Sequence, residues 1–185
     1  MAEYLILTEK KSAADNFSKA LGGTSGNFDG HSYQIVHAQG HLMELREPKD
    51  QVASDLKERY GSWDPENIPW NLADFNWTKE PTKAGNIRKI LSQIKKASQN
   101  AQAIVIATDN DPSGEGELLA WEIINEIGWH GKVYREYHDD ETPKSIVKAM
   151  RNLKDVSDQN KDGDYLKANV RSRWDFASMQ LTRLA

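Results

Sequence analysis

"IVIATDNDPSGEGELLAWEI", residues 104–123, decides how this chain is read. It opens inside an apolar run, "AIVIAT" at 103–108, which has the pattern of a strand buried on both faces. It continues into "EGELLAWEIINEIG", apolar nearly all round and stopped by Gly128, which predicts a buried helix. Between the two, Asp109, Asp111, Glu115 and Glu117 place four carboxylates within nine residues. A buried strand handing over to a helix is half of a βαβ unit. Parallel sheets made of such units gather their ligands beyond the carboxyl ends of the strands.

Outward from this stretch the alternation continues. "YLILT" at 4–8 predicts another buried strand, with Glu9 directly after it. A helix follows, marked by Ala14, Phe17 and Leu21, with Ser12 as its N-cap and Gly22–Gly23 as its stop. "HSYQIVHAQGHL" predicts a strand entering a loop at Gly40, and residues 55–60 a short helix. Residues 61–82 hold three Pro and three Trp without periodicity. They read as an ordered irregular loop whose aromatics pack against something. Ile87, Ile90, Leu91 and Ile94 mark an amphipathic helix over 83–97 whose other face is basic. "KVYREY" predicts a further strand, Thr142 with Pro143 opens a helix through Met150, and 164–184 form a last helix. The expected fold is α/β: a mostly parallel sheet flanked by helices.

With 28% charged and 38% hydrophobic residues, no apolar run reaches bilayer length. The absence of cysteine excludes disulfides and thiolate metal sites. Any metal therefore needs oxygen or imidazole ligands. The start, "MAEYLILTEKK", lacks a signal peptide's pattern, so a cytoplasmic location is expected. The net charge of −4 is carried entirely by residues 109–117, and the remainder balances. Residues 79–96 hold six bases and one acid, and residues 144–154 four bases and none. Each run is an ordinary solvated helix face, or a local basic face able to meet a phosphate backbone.

Two readings of the acids stand side by side. In one, Glu115 and Glu117 complement the dipole at a helix start, and Asp111 with Pro112 makes a turn. In the other, Asp109 and Asp111, two apart on extended backbone, face one hard cation, with Glu9 at the end of a second strand. No P-loop, dinucleotide fingerprint, H-E-x-x-H pair or nucleophile elbow is present.

Taken together, Glu9, the D-x-D pair and the E-G-E that follows make the chain resemble the Toprim region of type IA DNA topoisomerases, nearest the topoisomerase III branch. The likeness runs nearly end to end. "LTEKKSAADNFSKALGG" is similar to the family's E-K-P-S-x-A opening, with Lys11 where Pro is usual. "AQGHLMEL" matches its G-H turn through Gly40 and His41, and "WDPENIPW" its Trp/Pro loop. "YHDDETPKSI" resembles F-x-E-I-T-x-x-A-I, with Asp140 in place of Glu. "RSRWDFASMQLTRLA" resembles R-x-R-x-D-W-x-x-G-x-N-x-[ST]-R through Arg171, Arg173, Asp175, Met179, Leu181, Thr182 and Arg183, with Ala177 and Ser178 departing from it. The acidic motif is D-N-D-P-S-G-E-G-E, two residues longer than the family's D-x-D-R-E-G-E and without its arginine. Glu115 thus becomes the third acid, with Glu117 its competitor.

The resemblance implies a Toprim domain over 1–155 and, over 156–185, the start of a helical DNA-binding domain. It implies Mg²⁺-dependent, ATP-independent cleavage and resealing of single-stranded DNA through a 5′-phosphotyrosine link. By the same resemblance Mg²⁺ is expected on Asp109, Asp111 and Glu115, Glu9 is expected to handle the proton of the 3′-oxygen, and Lys10 and Arg173 to contact phosphate. Glu117, His41, Arg171 and Asp175 are further candidates, and Trp174 a candidate for base stacking. The six tyrosines sit in no matching motif. The expectation is therefore an N-terminal fragment, monomeric, binding Mg²⁺ and DNA but relaxing nothing, with no membrane and no ATP among its partners. A free-standing Toprim nuclease, a non-catalytic binding module and a doubly wound nucleotide-binding domain are the alternatives.

Overall fold

Leu5 to Thr8 are all buried, which a strand achieves only when both sheet faces are covered. In the computed structural model, which describes residues 2–184 and side chains through Thr182, this strand, β1 (Ala2–Thr8), is central. The order continues with α1 (Lys11–Leu21), β2 (Ser25–Phe28), β3 (His31–His37), β4 (Met43–Leu45), α2 (Lys57–Tyr60), β5 (Lys79–Pro81) and α3 (Ile87–Ser98). It ends with β6 (Ala101–Ala107), α4 (Glu115–Glu126), β7 (Lys132–Arg135), α5 (Pro143–Met150), β8 (Lys154–Asp155) and α6 (Gly163–Leu184). Among the described residues no helix is long and apolar enough to cross a membrane.

The contacts divide the chain into two units. The first, residues up to Leu42 together with Lys83–Ala168, holds a six-stranded sheet in the order β2-β3-β1-β6-β7-β8. β3, β1, β6 and β7 run parallel, and the edge strands β2 and β8 are antiparallel to their neighbours. This is the mostly parallel α/β sheet expected from the alternation. Ile6, Val105 and Ala107 pack with Ala14 and Phe17 of α1 and Ile146 and Met150 of α5. Leu5, Leu7, Ile104 and Ile106 alternate onto the opposite face and are equally buried. Burying a side chain such as Phe17 contributes roughly 1.5–3 kcal/mol.

Local signals account for the end of α1 and the start of α5. Gly22 adopts the left-handed conformation and its N–H closes α1 onto Ser18 O. Thr142 caps α5, with Pro143 at its first position. Ser12 does not cap α1. The helix already begins at Lys11 from an extended Lys10, and a Lys11–Asp15 ion pair on its first turn supports the earlier start.

The second unit comprises Met43–Thr82 and α6 from Asn169 onward. Its backbone is irregular apart from the β4–β5 ribbon and the short α2, and its core is aromatic. Tyr60, Ile68, Trp70 and Phe75 are buried, with Trp63, Trp77 and Phe176 packed against them. Phe176 of α6 meets Phe75 edge to face at 5.9 Å. Gln180 accepts a hydrogen bond from the backbone N–H of Trp70.

Candidate functional site

Strand register builds the site. Thr8 of β1 lies opposite Ala107 of β6, and Ile106 of β6 opposite Arg135 of β7. Glu9, Asp109 and Glu136 therefore leave neighbouring parallel strands at the same, carboxyl, end of the sheet. The loop after β3 is tied there too, because Ala38 N–H donates to Thr8 O (2.9 Å) and Gly40 N–H to Glu9 O (3.2 Å).

The turn from β6 into α4 explains the glycines of "SGEGE". Thr108 Oγ1 donates to Gly116 O at 2.9 Å, and a Cβ on Gly116 would stand 2.2 Å from Asp109 O. Gly114 has φ 79°, and a Cβ there would meet Asp164 O at 2.3 Å. Only glycine lets the helix start so close to the strand tip. Asp111 spans the turn: Oδ1 accepts from Ser113 N–H (2.8 Å) and Oγ, and Oδ2 accepts from Gly116 N–H (3.4 Å). Burial pushes the Asp111 pKa up, but the hydrogen bonds from Ser113 and the glycine amides outweigh it and hold the carboxyl below its usual range.

The four acids of the window have separate surroundings. Glu117 is buried against Arg135 through both carboxylate oxygens. Burial raises its pKa, and the guanidinium pulls it back. Arg135, fully buried, also donates to the carbonyls of Ile106 (3.3 Å), Thr108 (2.9 Å), Glu136 (2.7 Å) and Asp109 (3.3 Å). The pair thus pins the tips of β6 and β7 together. Glu115 lies in the first turn of α4, 3.2 Å from His41 Nε2, while His41 Nδ1 lies 3.5 Å from Glu122. Asp109 lies 3.5 Å from the Lys10 ammonium.

Asp109 has further neighbours from β7's exit. Ligand atoms of Asp109, His138 and Glu141 all lie within 4.8 Å of one another, the one such group of three among the described residues. His138 is buried, with Nδ1 2.7 Å from Glu136 Oε2. Its pKa is raised, chiefly by that hydrogen bond. Glu141 accepts from the side-chain amide of Asn16 on α1. Two carboxylates and one imidazole form an oxygen and nitrogen donor set that fits a divalent ion. An ion bonded at about 2.1 Å reaches donors about 4 Å apart, so small carboxylate rotations close the group.

The structure thus brings Glu9, Lys10 and Asp109 to adjoining tips. It engages Asp111 and Glu117 in holding the turn and sets Glu115 against His41. Arg171, Arg173 and Asp175 belong to the second unit. Arg173 stacks its guanidinium 5.3 Å from the Trp77 ring centre, and Arg171 and Asp175 pair at 3.7 Å along α6. Trp174 is exposed. The Arg183 side chain lies outside the described residues. Sequence reading missed Arg135, Glu136, His138 and Glu141. Arg135, two residues after Val133 and so on the same face of the "KVYREY" strand, was the available signal for the buried pair.

A Toprim domain profile matches residues 4–151. DNA topoisomerase 3 of Staphylococcus aureus strain USA300 is 31% identical over 164 residues, 84% of this chain and 21% of the relative. DNA topoisomerase 3 of Bacillus thuringiensis strain Al Hakam is 28% identical over 157 residues, 83% of this chain and 20% of the relative. Full-length topoisomerase I from Thermotoga maritima shares the fold, with a TM-score of 0.55 and 22% identity over 82% of this chain and 21% of that one. The chain spans about a fifth of the length of the relatives it matches. With its sheet order, its acidic strand tips and this profile match, the chain belongs to the Toprim family, in the form that resembles topoisomerase III.

Proposed function

We propose that this chain is the Toprim part of a type IA DNA topoisomerase, over residues 1–155, with 156–185 opening an adjoining helical DNA-binding domain. It works on a single-stranded segment of DNA in the cytoplasm, as a monomer, with Mg²⁺ as cofactor and without ATP. The observation that carries this reading is the meeting of the β1 and β6 tips, where Lys10 stands 3.5 Å from Asp109 and Glu9 precedes it.

Asp109, with Asp111 and Glu115 as the other family positions, would hold the ion, which when bound counters charge on a DNA phosphate. The chain's own groups do the rest. Lys10 is half-exposed beside Asp109 and is free to swing onto a phosphate oxygen. Glu9 holds or releases the proton of the 3′-oxygen. The Arg135–Glu117 pair keeps the tips in register while the strand is broken and resealed. All six tyrosines are buried or half-buried and none lies in a matching motif, so the chain alone is expected to relax no supercoiled DNA.

Fluorescence anisotropy with a labelled single strand tests the proposal. Mg²⁺ should strengthen binding, Asp109→Asn should remove that dependence, and Lys10→Ala should lower the salt slope by about 0.7. Metal-dependent nicking of plasmid with no covalent intermediate would favour the free-standing nuclease instead.

A further inference from the structure

Behind the strand tips lies a buried carboxylate that the proposed reaction does not use. Glu136 is fully buried at the exit of β7; Oε2 takes His138 Nδ1 at 2.7 Å, and Oε1 has no hydrogen-bond partner among the described residues. Burying a carboxylate with half its capacity unmet costs free energy, so its place calls for a reason. Its side-chain partner among the described residues is His138, whose ring also meets Phe17 edge to face at 5.6 Å. With Nδ1 committed to Glu136, Nε2 is the nitrogen left to contribute to the group formed with Asp109 and Glu141. Glu141 is itself steadied by Asn16. A carboxylate orienting a histidine that ligates a metal is a recurrent outer-shell arrangement, and the amide on Glu141 is its counterpart for a carboxylate ligand.

We propose that Asp109, His138 and Glu141 form a mixed nitrogen and oxygen metal site, oriented by Glu136 and Asn16, that takes a first-row divalent ion such as Mn²⁺ in preference to Mg²⁺. The inference rests on the reading that the strand tips hold a divalent ion, and it changes which side chains hold it. Imidazole suits first-row ions, whereas Mg²⁺ keeps to oxygen ligands and resists losing water. Glu136 is a positioning residue and touches no ion.

Pulsed EPR of the whole chain with Mn²⁺, read for ¹⁴N coupling, together with calorimetric titration of Mn²⁺ and Mg²⁺, tests this. The expected result is an imidazole nitrogen coupling in the parent chain and Mn²⁺ binding at least tenfold tighter than Mg²⁺. His138→Gln should abolish the coupling, and Glu136→Gln should weaken Mn²⁺ by about 10–100-fold with the circular dichroism unchanged. The parent spectrum decides even if a variant fails to fold. Mn²⁺ bound without nitrogen coupling, and lost in Asp111→Asn, would overturn the inference while leaving the proposed function's metal in place. No binding of either ion would overturn both.

Discussion

In the sheet unit, β1 and β6 bury consecutive aliphatic residues between helices, and Arg135, the one fully buried cation among the described residues, is met by Glu117 and four carbonyls. In the aromatic unit, an irregular backbone is held by rings: Tyr60 stacks on Trp70 at 5.8 Å, and Trp63 meets Trp70 at 4.5 Å. The first places polar groups at strand tips to within one residue, because register is fixed by a ladder of backbone bonds. The second has no ladder, so its order depends on the fit of large side chains. Chemistry that needs several carboxylates to converge belongs on the ladder.

This contrast is open to attack at both ends. Arg135→Leu leaves Glu117 buried without its partner and should cost about 3–5 kcal/mol in denaturant melts followed by far-ultraviolet circular dichroism. Arg135→Leu with Glu117→Leu should recover most of that loss. In the aromatic unit, Trp70→Ala should cost a similar 3–5 kcal/mol or so and collapse the near-ultraviolet signal. A change in the aromatic signal as small as that of a surface substitution would mean that rings do not hold this unit. Tyr60→Phe should cost about 1 kcal/mol, since the hydroxyl bonds Asp74 and accepts from Asn71 N–H at 3.2 Å.

The smallest effect is expected at the sheet's edge, where Asp155 of β8 pairs with Lys132 of β7 at 2.9 Å. Hydrogen bonds from Lys132 and Ser157 hold its pKa well below the ordinary carboxylate value. A depressed carboxyl contributes stability that is present above its unfolded pKa, about 3.9, and is lost as pH falls through the folded value. Asp155→Asn should therefore be slightly less stable than the parent near neutrality, with the gap closing below about pH 4. A gap that stays constant through the acid range would exclude the pair as a contributor.

Legibility in the sequence follows the same division. β1, β6 and α4 were readable because aliphatic runs buried on both faces leave no polar alternation. α5 was readable because Thr142 and Pro143 mark its start. β2 was not, since "SGNF" has no apolar pattern and forms only because β3 offers an edge to pair with. The aromatic loop was legible as packed, but not its partner Phe176, which lies about a hundred residues downstream. At the site, Asp109 stood out because it follows a buried strand. His138 and Glu141 did not, because only the parallel β6–β7 register carries them beside it. Asp111 and Glu117 were legible as acids, but whether such acids serve a turn, a buried pair or an ion depends on neighbours that spacing does not name.

One measurement reaches the central claim most directly: nitrogen–proton correlation spectra of the chain during substoichiometric addition of Mn²⁺. The amides of residues 9–10, 109–111 and 136–141 should broaden first. Those near the opposite ends of β1 and β6, Glu3 and Gln102, should stay sharp, because a seven-residue strand separates its ends by about 20 Å. Broadening that begins at those opposite ends, or spreads evenly over the sheet, would contradict an ion held at the tips.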